Sequence, residues 1–218
     1  MTQITSLEKR VEIANTKKNF IPTETLSQVE KSLVELSGTP FRLIPIFNSM
    51  NELTSEEQST LYDKIFLPVM DHFYNQSGWN LDKQEKMKDL LADWMRMIVV
   101  KLENEIVAFA AFRFDMDEDR PVVYLYELHV RSDMQGKRIG DHLLRLLEVI
   151  AQCHAMDRVV LTTLKCNPRA LQFYLKRGFE VDETSPSIVL KSKQKNKERF
   201  DKMYPYEILS KRTTQIVH

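Results

Sequence analysis

VVYLYELHVRSDMQGKRIGD, residues Val122 to Asp141, is the stretch whose reading decides the fold. A hydrophobic strand runs into a Gln-Gly-Lys-Arg-Ile-Gly turn, Gln135 to Gly140, and the turn opens a leucine-rich helix. Strand, glycine-bearing turn and helix N-terminus together offer free amide N–H groups and a favourable dipole, which is a cradle for a pyrophosphate. A single turn of this kind is a weak sign, because Gly136 and Gly140 can equally serve to shape a tight strand-to-helix connection.

Further along, Arg158 to Thr163 (RVVLTT) reads as a buried strand, and NPRALQFYLKRGFEV follows from Asn167 to Val181. The two segments resemble motifs A and B of the GCN5-related N-acetyltransferases. The motif A pattern, Gln/Arg-x-x-Gly-x-Gly/Ala, is met by Gln135 and Gly140, with Arg138 standing where the first glycine belongs. Asn167, Ala170, Phe173, Tyr174, Gly178 and Phe179 fall where motif B wants them. Two motifs in the right order and at the usual separation are far more specific than either alone. The resemblance implies an α/β fold with a mixed, mostly antiparallel central sheet and flanking helices. It also implies acetyl-CoA as cosubstrate.

Composition fits a chain able to bury a sizeable core: 218 residues, 43% of them hydrophobic. Thirty-one basic side chains balance 31 acidic ones, which argues against a general nucleic-acid or membrane surface, since either partner usually demands a basic excess. Cys153 and Cys166 are the only cysteines and have no metal-ligand spacing, so neither a zinc site nor a disulfide framework is expected, and the expected compartment is reducing. No apolar run is long enough to span a bilayer and the N-terminus lacks a signal peptide's apolar core, so the expected location is cytoplasmic and nuclear.

Helical spacing over Leu7–Lys18 and Thr25–Leu36, the second with Thr23 or Thr25 as N-cap, predicts an N-terminal helical extension over residues 1–38, packed on an acetyltransferase domain over 39–218 in a single globular unit. FRLIPIF reads as the first strand, and Thr54-Ser55-Glu56-Glu57 is a capping signal for a helix reaching toward Tyr74, with Pro68 at a bend or second helix start. Lys83 to Asp93 is helical in propensity. MRMIVVK, IVAFAAFRFD and VVYLYELHV form a three-strand meander, with Asp115 to Pro121 as an acidic loop before the last strand. The helix from Ile139 to His154 sets Leu143, Leu147 and Ile150 on one face for packing on the sheet. KSKQKNKER, from Lys191 to Arg199, reads as a solvated charge run, and a strand-like pattern resumes at Tyr204 to Leu209.

For the cofactor, the resemblance implies that the strand before motif A splays from its neighbour and that backbone groups of Leu128, His129 and Val130 bind the thioester carbonyl and pantetheine arm. A donor aimed at that carbonyl stabilises the negative charge that grows as an amine attacks. Gln135, Gly136, Lys137, Arg138, Ile139, Gly140 and Asp141 would wrap the pyrophosphate, and Asn167 and Phe173 would hold its other side. Arg138 has two readings, a guanidinium reaching a phosphate or a solvent-exposed arginine on a turn. Tyr174 stands either as proton donor to the leaving thiolate or as a ring packed beside Phe173.

The acceptor must be read separately, because one fold serves many amines. FYNQSGW, FRFDMD, VYLYELHV and YPYEILSKRT, with the Ser-Pro-Ser at Ser185–Ser187, resemble the N-alpha-acetyltransferase D family over roughly Tyr62 to Thr213. That family modifies the N-terminal serine of core histones beginning Ser-Gly-Arg-Gly, so histone tails are the implied partner of a monomer that needs neither nucleic acid nor membrane. The lysine-rich loop after Leu190 and an N-terminus without the family's basic, Gly-led beginning depart from the pattern. The resemblance places Tyr74 and Trp79 at the mouth of the peptide site and Tyr124, Tyr126 and Tyr206 along it. Asp115 and Asp117 would face the cationic third residue, and Thr162 would be a further contact.

Glu127 is the implied catalytic base, directly or through a water. Strand alternation puts it on the face opposite Tyr126, so a local splay or bulge is needed to re-aim it. Its task is modest, because a free α-amine has a pKa of about 8 and a fair fraction is already neutral. Direct attack in a ternary complex needs no metal and no cysteine nucleophile. Two alternatives stand beside this reading: a lysine or small-amine acetyltransferase of the same fold, and a non-catalytic module that binds a histone tail or the coenzyme.

Overall fold

The computed structural model describes residues 5–38, 40–47, 49–79, 82–191 and 196–213. Two helices come first, α1 (Ser6–Thr16) and α2 (Thr23–Ser37). A capping box starts α1: Thr5 accepts from the Glu8 N–H and the Glu8 carboxylate accepts from the Thr5 N–H. The expected threonine cap on α2 is absent. Pro22 is the N-cap instead, its ring fixing φ at −60° while ψ of 135° turns the chain into the helix, and Thr23 is already helical.

After β1 (Phe41–Ile46), the Thr54 capping box forms as the sequence predicts and starts α3 (Ser55–Ser59). A π-helical stretch, Thr60–Phe66, carries α3 into α4 (Leu67–Ser77). The wide turn has a cause: Pro68 has no N–H to donate, and the Leu67 N–H reaches five residues back to Tyr62 O. Next come α5 (Lys83–Leu90), capped by Asp82, and the strands β2 (Arg96–Leu102), β3 (Glu105–Asp117) and β4 (Arg120–Val130).

Residues 115–121 are not the expected acidic loop. Asp115 pairs with Val122 and Asp117 with Arg120, so the hairpin closes on the two-residue turn Glu118–Asp119, with Glu118 at φ 54°. Arginines beside the acids let the strands run on: Arg113 pairs with Asp115, and Arg120 with Asp117. The rest of the chain forms α6 (Ile139–Cys153), β5 (Arg158–Leu164), α7 (Pro168–Leu175), β6 (Glu180–Val181), α8 (Pro186–Val189), α9 (Lys197–Met203) and β7 (Tyr206–Arg212). Of the basic run at 191–199, positions 192–195 lie outside the described residues, and the end of the run is not a loop: Asn196 caps α9, which starts at Lys197.

The strands make one sheet in the order β1-β2-β3-β4-β5-β7-β6. The pairings are antiparallel except β4 with β5. The meander thus has four strands, because β1 pairs with β2 across the intervening helices. One face packs under α1, α2 and α6, with Leu33, Phe112, Val123, Leu143, Leu147 and Ile150 in its core. The other packs under the π stretch, α4 and α5 around Leu61, Phe66, Leu90, Met97 and Phe109. Burying each such side chain stabilises the fold by about 1.5–3 kcal/mol, so the amphipathic face of α6 is enough to hold it on the sheet.

Candidate active site

Two irregularities of β4 make the site. The first is a bulge. Ala111 lies opposite Glu127 but Phe112 lies opposite Leu125, so Tyr126 is an extra residue on β4. Leu125 faces the α6 side and Tyr126 the α5 side; after the bulge Glu127 also faces the α5 side, and His129 follows it there, its ring 5.3 Å from that of Phe66. Regular alternation would have turned Glu127 away from Tyr126, and the extra residue brings the two onto one face.

The second irregularity is a splay. Parallel pairing of β4 with β5 runs from Val122↔Arg158 to Leu125↔Leu161 and stops, although both strands continue. Beyond Leu125 the edge of β4 facing β5 is open. Arg131 N–H bonds back to Val107 O on β3, so by the two-residue alternation of an antiparallel ladder His129 also points its backbone at β3. Leu128 and Val130 are therefore the residues with backbone groups facing the opening, and His129 contributes its imidazole. Gln135 donates its side-chain amide to Val130 O at 3.0 Å, tying the turn to the end of the strand.

The splay opens into a cleft of about 600 Å³. Glu127, Leu128, His129, Val130, Gln135, Gly136, Arg138, Ile139, Gly140, Asp141, Asn167 and Phe173 all line it, with Tyr126, Thr162 and Tyr174. Lys137 does not; it is exposed at the crown of the turn. Asn167 caps α7 by accepting from Ala170 N–H at 3.0 Å. Arg138 sits at φ 61° as the N-cap of α6. That left-handed conformation is the one a glycine adopts freely, which explains the glycine of the motif pattern at this position. Gly140 is needed for space: a Cβ there would meet Phe173 Cζ at 3.3 Å.

Glu127 is buried and doubly held. Lys86 Nζ lies 2.8 Å from one carboxylate oxygen and His129 Nε2 2.7 Å from the other. Burial pushes its carboxyl pKa up, but Lys86 and then His129 outweigh burial, and the value lies below the ordinary carboxylate range. The Lys86 ammonium loses hydration on burial and regains more from Glu127 and Tyr74, which raises its pKa. Tyr174 is buried between Phe173 and Phe179, and burial followed by the Glu127 charge raises its phenol pKa, leaving it protonated at neutral pH. The tyrosine is thus packed beside Phe173 and lines the cleft.

Two aromatic groups stand near the cleft, and Tyr126 lines it. Trp79, 37% exposed, lies 5.1 Å from Tyr206 and 6.4 Å from Tyr74, ring centre to ring centre. A second group, Trp94, Tyr126 and Tyr124, surrounds the Arg113 guanidinium at 5.1, 5.3 and 5.9 Å. The Tyr124 hydroxyl shares a 2.7 Å hydrogen bond with Thr162 Oγ1. Asp115 and Asp117 do not line the cleft and are not free, being paired with Arg113 and Arg120. Sequence reading missed Lys86, Trp94, Arg113 and Arg177. Arg113 carried a signal, since strand alternation in FRFD puts it on one face with Asp115; Lys86 carried none, because only the docking of α5 brings it to Glu127.

Among the described residues no group of three or more His, Cys, Asp or Glu could hold a metal, and no helix is long and apolar enough to cross a membrane. Cys153 is exposed, and Cys166 donates its thiol to Phe73 O at 3.4 Å.

A mixed sheet parted between its two parallel strands, with a glycine-bearing turn at the parting, is the frame of an acetyl-transferring enzyme. The model of the acetyltransferase (GNAT) family matches residues 58–179, more than half of the chain, and the chain belongs to that family. Its members transfer acetyl groups from acetyl-CoA. Solved structures share the fold at low identity. An acetyltransferase from Streptococcus agalactiae matches at 15% identity and TM-score 0.54, over 79% of this chain and 98% of that one. One from Thermus thermophilus matches at 19% and 0.53, over 79% and 96%. With nourseothricin acetyltransferase the overlap is shorter, 56% of this chain and 66% of that one, at 14% identity and TM-score 0.44.

Proposed function

We propose that the protein transfers acetyl from acetyl-CoA to the N-terminal serine amine of histone tails beginning Ser-Gly-Arg-Gly. One observation supports this most: the bulge at Tyr126 sets a buried carboxylate, Glu127, at the head of the cleft, next to an aromatic mouth of Tyr74, Trp79 and Tyr206.

In this reading the free backbone edge of Leu128 and Val130 orients the acetyl thioester, and the turn from Gln135 to Asp141 with Asn167 and Phe173 holds the rest of the coenzyme. The serine amine enters from the aromatic side and attacks the thioester carbonyl directly. Glu127 takes the proton, directly or through a water. Its lowered pKa makes it a weak base, which suits an α-amine already partly neutral near its pKa of about 8. Tyr174, protonated at neutral pH, returns a proton to the leaving thiolate in this reading. Tyr124, Tyr126 and Thr162 line the path of the peptide, and Asp115 and Asp117 reach its arginine by exchanging their own arginine partners for it.

Acetyl transfer to a Ser-Gly-Arg-Gly peptide, compared with the same tail blocked at its α-amine but carrying free lysines, tests the proposal. Transfer to the unblocked peptide is expected; transfer to the blocked one alone refutes N-terminal specificity and favours the lysine-acetylating alternative.

A further inference from the structure

His129 lies beside Glu127 in the wall of the cleft, and its neighbours fix its chemistry. The imidazole is 8% exposed, with the Phe66 ring centre at 5.3 Å and the Phe109 ring centre at 5.4 Å, so packing holds its orientation. At 2.7 Å from Nε2, the ionised Glu127 carboxylate can only accept, so Nε2 carries the ring proton and donates. In the neutral ring Nδ1 is then an acceptor. It has no hydrogen-bond partner among the described residues and is not sealed from solvent, so its lone pair is open to the cleft. Both Glu127 oxygens, by contrast, are already engaged, one by Lys86 and one by His129.

The other titratable groups of the cluster are Lys86 on α5, Tyr62 on the π stretch, Tyr74 on α4 and Tyr174 on α7, each acting on Glu127 or on Lys86. Burial raises the pKa of all three phenols. Burial lowers that of the Lys86 ammonium, but Glu127 and Tyr74 raise it by more. These four groups therefore keep their protons at neutral pH. Glu127 does the opposite, and a carboxylate below its ordinary range does not retain a proton taken from an amine of pKa about 8. An imidazole is the side chain whose ordinary range spans neutrality.

We propose that His129 carries the proton that the acceptor amine gives up, with Glu127 as the partner that holds the resulting imidazolium. The inference deepens the acetyl transfer proposed above and rests on it. As the amine attacks, its N–H bond breaks and Glu127 takes the proton; a water in the cleft passes it to Nδ1, and Glu127 returns to a carboxylate, now paired with an imidazolium. The thioester C–S bond breaks and the Tyr174 phenol protonates the leaving thiolate. The imidazolium then gives its proton to the Tyr174 phenolate across the cleft that both residues line. One N–H proton lost thus becomes one S–H proton gained, and the site is reset. Fixing the tautomer of an imidazole and stabilising its charged form is the work of the carboxylate in a histidine–carboxylate dyad. Nε2 donates to Glu127 throughout, so the ring does not have to turn.

The kcat of the full chain on the Ser-Gly-Arg-Gly peptide at saturating acetyl-CoA, measured between about pH 6 and 9 for wild type, H129Q and H129A, tests it. A glutamine amide keeps a donor for Glu127 but cannot hold a proton. H129Q is expected to bind acetyl-CoA within about twofold of wild type and to turn over about 10²-fold more slowly at pH 7, with the gap closing as pH rises and solution base takes the proton. H129A, with the ring's space vacated, is expected to regain turnover in proportion to added free imidazole. A wild-type pH profile in H129Q would overturn the proposal. So would a loss that is the same at every pH in both variants and insensitive to imidazole in H129A, because His129 would then serve only to hold Glu127 in place. Either result, with wild type active, leaves the proposed acetyl transfer standing. Wild type that transfers nothing to the peptide would remove both.

Discussion

Replacing Lys86 with methionine keeps the length of the side chain and removes its charge from beside Glu127. Both partners are buried, with 14% and 7% of their side chains exposed, at 2.8 Å. At that distance the attraction is about 6 kcal/mol for an effective dielectric constant near 20. Part of this is offset, because the variant no longer buries an ammonium, and a net loss of about 3–5 kcal/mol is expected from stranding the carboxylate. The pH dependence should move to higher pH. In wild type the Glu127 pKa is depressed, so its contribution to stability is complete above the ordinary value of 4.5 and is lost as pH falls through the folded value. Without Lys86, only His129 is left to oppose burial, so the pKa is higher than in wild type and the contribution is lost at a higher pH as pH falls. Urea denaturation between pH 4 and 8 measures both effects. The double variant K86M/E127Q, with neither charge buried, should regain most of the loss. A K86M cost under about 1 kcal/mol, or a double variant no better than the sum of the singles, would refute the view that this ion pair holds the site.

Three further outcomes are expected. E127Q should bind acetyl-CoA as wild type does while turnover falls about 10²–10⁴-fold, measured by titration and by steady-state assay; unchanged turnover removes Glu127 from the base role. R138G should raise stability by about 1 kcal/mol in thermal or urea unfolding, because it relieves the left-handed arginine at φ 61°; a loss of stability would mean that its side chain stabilises the turn by more than the strain costs. D115N should raise the KM for Ser-Gly-Arg-Gly about tenfold and leave that for Ser-Gly-Ala-Gly unchanged, and an equal effect on both peptides would show that Asp115 serves only to hold Arg113.

The pyrophosphate turn, the helix behind it and the strand–helix pair at Arg158–Leu175 were legible because each depends on local chemistry: glycines, an asparagine cap and a 3.6-residue apolar period. The Thr54 capping box was legible for the same reason. The acidic stretch at 115–121 misled, since Glu118 takes up the positive φ of a two-residue turn without a glycine to announce it, and the neighbouring acids are neutralised by arginines within the hairpin. The cap on α2 misled because Pro22, which has no side-chain acceptor to announce a cap, stands just before the two threonines that were the candidates.

From the sequence by itself came the class of fold, the order of its elements and the family, each carried by short-range patterns that survive in a single chain. The tertiary structure decided the site. Whether Glu127 faces Tyr126 depends on one unpaired residue in the register of β3 and β4, and whether it is a free or a paired carboxylate depends on where α5 lays Lys86. Both are contacts between segments far apart in the chain, and neither leaves a periodicity to be read.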